Sequence, residues 1–170
     1  VADKKGGVAL VLRVDVPAGT QEQAAFVDIS RDGKSARFDA SRSFRPMPGA
    51  SKKFTIRYDE KSARYWALVN LVPPQLQGEP PAPVRNTVAL ISTGDLEHWQ
   101  VHRQVLTHPD SQKHGFQYVD WVVDKDDIVF VARTAFDDGK GGAPNFHDAN
   151  FLTFHRVENF RQAAQTSPPR

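Results

Sequence analysis

Tyr65-Trp66-Ala67-Leu68-Val69-Asn70 decides the reading of this chain, because it is one of three six-residue runs that are apolar until a polar last residue. Val8-Ala9-Leu10-Val11-Leu12-Arg13 precedes it and Ile128-Val129-Phe130-Val131-Ala132-Arg133 follows it. Each run is short, rich in β-branched or aromatic residues and bounded by turn formers, so each predicts a strand. A second strand follows each after a loop: Ala25 to Ser30, Val88 to Ser92 and Phe151 to His155. The register is nearly constant, with 57 residues from Arg13 to Asn70, 63 from Asn70 to Arg133, 62 from Ser30 to Ser92 and 63 from Ser92 to His155.

A further strand precedes the second and third units, Phe54-Thr55-Ile56-Arg57-Tyr58 and Phe116-Gln117-Tyr118-Val119-Asp120, again 62 apart, and the first unit lacks it. Asp59-Glu60-Lys61-Ser62 and Asp124-Lys125-Asp126-Asp127 supply the hairpin turns, while Pro73 to Pro83 and Asp137 to Pro144 are the long loops. Recurrence at this period predicts an all-β fold of radial repeats. The expected architecture is a partial β-propeller of about three four-stranded antiparallel blades, residues 1–45, 46–108 and 109–161, with a flexible tail over 162–170. Propellers have four to eight blades, so the rest is expected from a missing half or from self-association.

Lys plus Arg number 22 against 20 Asp plus Glu, a balance of +2 with no basic stripe, which argues against nucleic acid as partner. The pair Lys52-Lys53 reads as solvated surface. Composition argues against a membrane span, and the absence of cysteine excludes disulfides and thiolate metal sites. His147, Asp148 and His155 lack metal-ligand spacing, so neither metal nor cofactor is expected. Val1 is an unusual first residue, and the N-terminus reads as cut.

Ser30-Arg31-Asp32-Gly33 and Ser92-Thr93-Gly94-Asp95, each with an aromatic further on, resemble degenerate Asp boxes, in which the Asp holds a turn. Lys53 to Asp59, Arg64-Tyr65-Trp66, Arg85-Asn86, Ser92 to Trp99, His114 to Trp121, Arg133 to Asp137 and His147 to Asn150 are similar to the C-terminal half of bacterial sialidase-like propeller proteins (the neuraminidase-repeat family). That resemblance covers most of the chain. It implies a glycoside hydrolase acting on a carbohydrate substrate, in the periplasm or outside the cell.

Strand direction sorts the polar residues without the family. In a meandering blade the first strand starts, and the second ends, where the loop to the third strand runs. That mouth collects His114, Gln117, Tyr118, Arg13, Asn70, Arg133, Arg85, Asn86, His147, Asp148 and Asn150, a set suited to a polyhydroxylated or anionic ligand. Asp148 and Asp120 are the candidate acid/base carboxylates. The alternatives are that Asp120 is a buried, hydrogen-bonded anchor beside Trp121 and that Asp148 caps a turn. Arg57, Arg85 and Arg133 are candidates to clamp a carboxylate, as the resemblance implies, with an ion pair to Asp59 or Glu60 as the alternative for Arg57. The resemblance also offers Tyr118 as nucleophile, yet Glu22, Glu60, Glu79, Glu97 and Glu158 read mostly as turn or outer-strand residues. Phe44-Arg45-Pro46, similar to the sialidase Phe-Arg-Ile-Pro motif, reads as a loop. Trp66, Trp99 and Trp121 are expected between blades, with sugar stacking as the alternative for Trp121. The leading expectation is a glycosidase; the alternatives are a non-catalytic carbohydrate-binding or scaffolding propeller and a protein-docking platform.

Overall fold

A computed structural model describes residues 1–2 and 6–165. Among them, eleven strands form three antiparallel sheets, accompanied by two short 3-10 turns. The first sheet holds β1 (Val8–Arg13), β2 (Gln23–Ile29), β3 (Ala36–Arg37) and β4 (Phe44–Pro46). The second is a four-stranded meander of β5 (Thr55–Asp59), β6 (Arg64–Asn70), β7 (Thr87–Thr93) and β8 (Gln100–Thr107). The third holds β9 (Gly115–Asp124), β10 (Asp127–Ala135) and β11 (Phe151–Val157).

Among the described residues only the second unit has four full strands, against the expectation of about three four-stranded blades. In the first sheet β3 and β4 both pair with β2, so they form one outer strand that is interrupted. The interruption is made by Asp39, whose carboxylate accepts hydrogen bonds from the Ser41 N–H and hydroxyl and from Arg42 Nε, winding the chain into a turn. In the third sheet Asn159 takes φ 47° and diverts the chain into the 3-10 turn Phe160–Ala164. Phe160 is fully buried, edge-on to Trp66 with ring centroids 5.0 Å apart. That segment packs on the core, and among the described residues no strand pairs with the free edge of β11. The expected tail therefore begins inside this turn, and residues 166–170 lie outside the described ones.

The sheets are held face to face by two apolar clusters. Trp66, Leu68, Val88 and Leu90 of the second sheet meet Phe116, Val119, Trp121 and Phe130 of the third. On the other face Tyr65, Ala67, Val69 and Ile91 meet Ala24 and Phe26 of the first. The unbroken apolar runs of β6 and β7 follow from burial on both faces, which removes the alternation a half-exposed strand shows. Trp121 is 1% exposed, so it is core and not a sugar platform.

The end sheets repeat this pattern without its cover. Val8, Leu10 and Leu12, 48%, 50% and 48% exposed, occupy the places taken 57 residues later by Tyr65, Ala67 and Val69, which are buried. At the other end Leu152 and Phe154 are 73% and 66% exposed, and Phe154 stands opposite Val131. Among the described residues no sheet closes on itself.

A bulge positions the start of β9. The β9–β10 register shifts between Val131 and Arg133, and Tyr118, the extra residue, has φ 50°. Because the bulge adds one residue, Phe116 before it and Val119 and Trp121 after it all face the core. Simple alternation from Phe116 would have turned Val119 and Trp121 outward.

Candidate functional site

The mouth is built on Gln117, which is fully buried. Its Oε1 accepts a 2.7 Å hydrogen bond from Arg85 Nη1, and its Nε2 donates to the carbonyls of Phe146 and His147. One amide thus joins the β6–β7 loop, the edge strand β9 and the β10–β11 loop. Asn70 reinforces the junction, donating from Nδ2 to the carbonyl of Phe116 at 2.8 Å and to those of Arg85 and Thr87 at 3.3 Å. The β10–β11 loop comes this close because residue 115 is glycine: a Cβ there would lie 2.7 Å from the Phe146 carbonyl oxygen.

Tyr118 stands half-buried at this junction. Three cations from three elements surround its ring: Arg133 Cζ at 5.2 Å from the centroid, Lys53 Nζ at 5.5 Å and Arg85 Cζ at 5.7 Å. Each lies within cation–π range. A left-handed backbone at a bulky aromatic residue is uncommon and stores strain, which is concentrated at sites where a side chain must be aimed. Arg85 also donates to the Ala82 carbonyl, and Arg133 Nη2 donates to the His147 carbonyl at 3.3 Å. Guanidinium groups carry five N–H donors, so both retain donors for a ligand.

Beside them the β10–β11 loop carries His147 and Asp148. Asn145 Oδ1 accepts from both of their backbone N–H groups, and its Nδ2 donates to Asp148 Oδ2 at 2.8 Å. His147 Nδ1 lies 3.1 Å from Asp148 Oδ1. The hydrogen bond from His147, then that from Asn145, with the Arg133 charge nearby, lowers the Asp148 pKa and keeps it a carboxylate. That suits a base or an orienting group, and not a proton donor.

Other expected site residues fall elsewhere. Arg57 and Asp120 pair with each other at 3.3 Å, and Arg57 Nε also donates to the Trp121 carbonyl at 2.7 Å. They clasp the edge strands β5 and β9 together, so the Arg57 partner is neither Asp59 nor Glu60, and Asp120, exposed, is not the buried anchor expected. Asn86 is 1% exposed and donates to the His108 carbonyl at 2.6 Å, a tie behind the mouth surface. His114 is buried too, stacked on His108 at 3.6 Å, with Nδ1 3.0 Å from Asp110 and Nε2 3.3 Å from Asp137. Asn150 holds the Phe136 backbone through both its amide atoms. Asp32 and Asp95 are turn formers as expected: Asp32 accepts from Ser30 and Lys34, and Asp95 accepts from Thr93, Glu97 and His98.

Two groups escaped the sequence reading. Lys53, placed at the surface, is the third cation over Tyr118. Lys52 is 1% exposed, which corrects its reading as solvated, and its Nζ lies 2.7 Å from Glu22 Oε1. Burial pushes the Lys52 pKa down, the Glu22 charge opposes this, and Arg85 adds to the lowering. Glu22 also accepts from the backbone N–H groups of Gly49 and Ser51. A signal was present in Gly49-Ala50-Ser51, small residues that let this segment press on β6: a Cβ on Gly49 would lie 2.6 Å from that of Val69. Between the β1–β2 and β6–β7 loops, Glu22 lines a cleft of about 320 Å³ together with Gln21, Leu71, Gln77 and Glu79.

Neither a scan against protein-family models nor a search of curated proteins found a match for this chain.

Proposed function

We propose that this chain is part of a sialidase-like β-propeller whose mouth, centred on Tyr118, binds a carbohydrate bearing a carboxylate or dense hydroxyls. The observation that carries the proposal is the convergence of Lys53, Arg85 and Arg133 on one strained tyrosine. Guanidinium and ammonium groups around an aromatic ring offer an anionic sugar charge-assisted hydrogen bonds together with an apolar face for stacking. The propeller reading is supported by sheets stacked in chain order with matching faces, and by the apolar outer faces left bare on the first and third sheets.

Hydrolysis of a terminal glycosidic bond is the second reading, favoured by Asp148 beside Arg133 and by the aimed Tyr118. It ranks second because glycosidases ordinarily need a carboxyl that gives a proton. Asp148 is held ionised and Asp120 is engaged by Arg57. Incubating the chain with a panel of neutral and acidic oligosaccharides, measuring binding by calorimetry and products by mass spectrometry, separates the readings. Binding of acidic sugars without product supports the first, and released monosaccharide that disappears in Asp148→Asn supports the second. Absence of binding and product refutes both.

A further inference from the structure

We infer that the inner edge of β1 is a strand-accepting groove, and that its occupant is an extended segment continuous with Val1 and antiparallel to β1. In the second and third sheets the strand at this place, β5 or β9, pairs with its neighbour β6 or β10. In the first sheet the described residues supply only a stub of it. Ala2 bridges Val8, and Val1 exchanges both backbone hydrogen bonds with Ala9, at 2.7 and 2.9 Å. Tyr65 Oη donates to the Ala2 carbonyl at 3.0 Å and pins the stub from the second sheet.

The register of this stub is that of the repeat. Ala2 opposite Val8 occupies the ladder position of Tyr58 opposite Tyr65, since Val8 and Tyr65 are equivalent. Val1 opposite Ala9 then matches Arg57 opposite Trp66. Antiparallel pairs alternate, so when Ala9 directs its N–H and C=O to the inner edge, Val11 and Arg13 do the same. Among the described residues no strand stands opposite them.

The space there is a groove of about 260 Å³, lined by Val1, Ala9, Val11, Leu12, Phe54 and Ile56. Val1, Val11, Phe54 and Ile56 all pack on the cluster between the first and second sheets. A strand running on from Val1 sets its nearest residue opposite Leu10 and its second opposite Val11. The second points the same way as Val1, toward Phe54 and Ile56, and is therefore apolar. The free edge supplies main-chain hydrogen bonds and the groove supplies the side-chain preference, the two parts of recognition by strand addition. This inference is independent of what the mouth binds.

Three proteins test it: the chain itself, the chain preceded by Lys-Thr-Val-Thr, and the chain preceded by Lys-Thr-Asp-Thr. The Val-containing extension should slow amide hydrogen exchange at Val11 and Arg13 by roughly tenfold or more and raise Tm, while the Asp-containing one should do neither. Equal exchange at Val11 and Arg13 in all three proteins overturns the inference. So does protection that appears only when the Val peptide is added as a separate molecule, because the occupant would then not be continuous with Val1.

Discussion

Arg85 Nη1 donates a 2.7 Å hydrogen bond to Gln117 Oε1, and through it the second sheet's long loop is fastened to β9 of the third. Gln117 is fully buried, and three hydrogen bonds run through its amide. Gln117→Leu leaves Arg85 and two loop carbonyls short of a partner. Urea unfolding should register a loss of about 2–4 kcal/mol, the sum of several unsatisfied buried groups. Glu, which keeps the acceptor for Arg85 but loses the amide donor, should give an intermediate value.

Tyr118 separates binding from folding. Its φ of 50° is strained for tyrosine and relaxed for glycine. Tyr118→Gly should therefore change unfolding free energy by less than about 1 kcal/mol, relief of strain offsetting lost ring contacts. Sugar binding should fall below detection by calorimetry. A variant that unfolds outright would mean that the ring is a core element.

Lys52 and Glu22 form a pair in which removal of either charge strands the other. Lys52→Met alone should destabilise by about 3–5 kcal/mol, and Lys52→Met with Glu22→Gln by clearly less, as measured in a double-mutant cycle. Additive losses would contradict a direct interaction.

Acid should release the C-terminal turn. Arg161 Nε and Nη2 grip both carboxylate oxygens of Asp59 at 2.9 and 2.7 Å, and Ser62 donates twice more, lowering the Asp59 pKa to about 2. A carboxyl with a depressed folded pKa stabilises above its unfolded value near 4 and loses that stabilisation as pH falls through about 2. The stability gap between the native chain and Asp59→Asn should be about 2 kcal/mol at pH 7 and should shrink between pH 4 and 2 in denaturant titrations.

The apolar run of β6 was legible because a strand buried on both faces must be apolar throughout, and its recurrence in β1 and β10, each left with one bare face, marked the stacking of sheets. That the third sheet has three strands among the described residues was not legible. The turn after β11 depends on Phe160 fitting against Trp66, a contact between segments 94 residues apart in sequence. At the mouth, Arg85, Arg133, His147, Asp148 and Tyr118 fell together because topology brings strand starts, strand ends and connecting loops to one side. Asn86 and His114 share that side yet are buried, since sequence position fixes the end of a strand and not the depth of a side chain. Lys53 was missed because its neighbour across the mouth lies on another sheet, and the Tyr118 bulge left no mark in an apolar pattern that it restores within one residue.

The central claim is that Lys53, Arg85, Tyr118 and Arg133 act as one carbohydrate-binding mouth. Titrating isotope-labelled protein with an acidic monosaccharide and following amide and side-chain resonances tests it most directly. The account predicts shifts confined to those four residues and to His147 and Asp148, weakened by salt and abolished in Arg133→Ala. Shifts that persist unchanged in Arg133→Ala, or that cluster away from Tyr118, would contradict it.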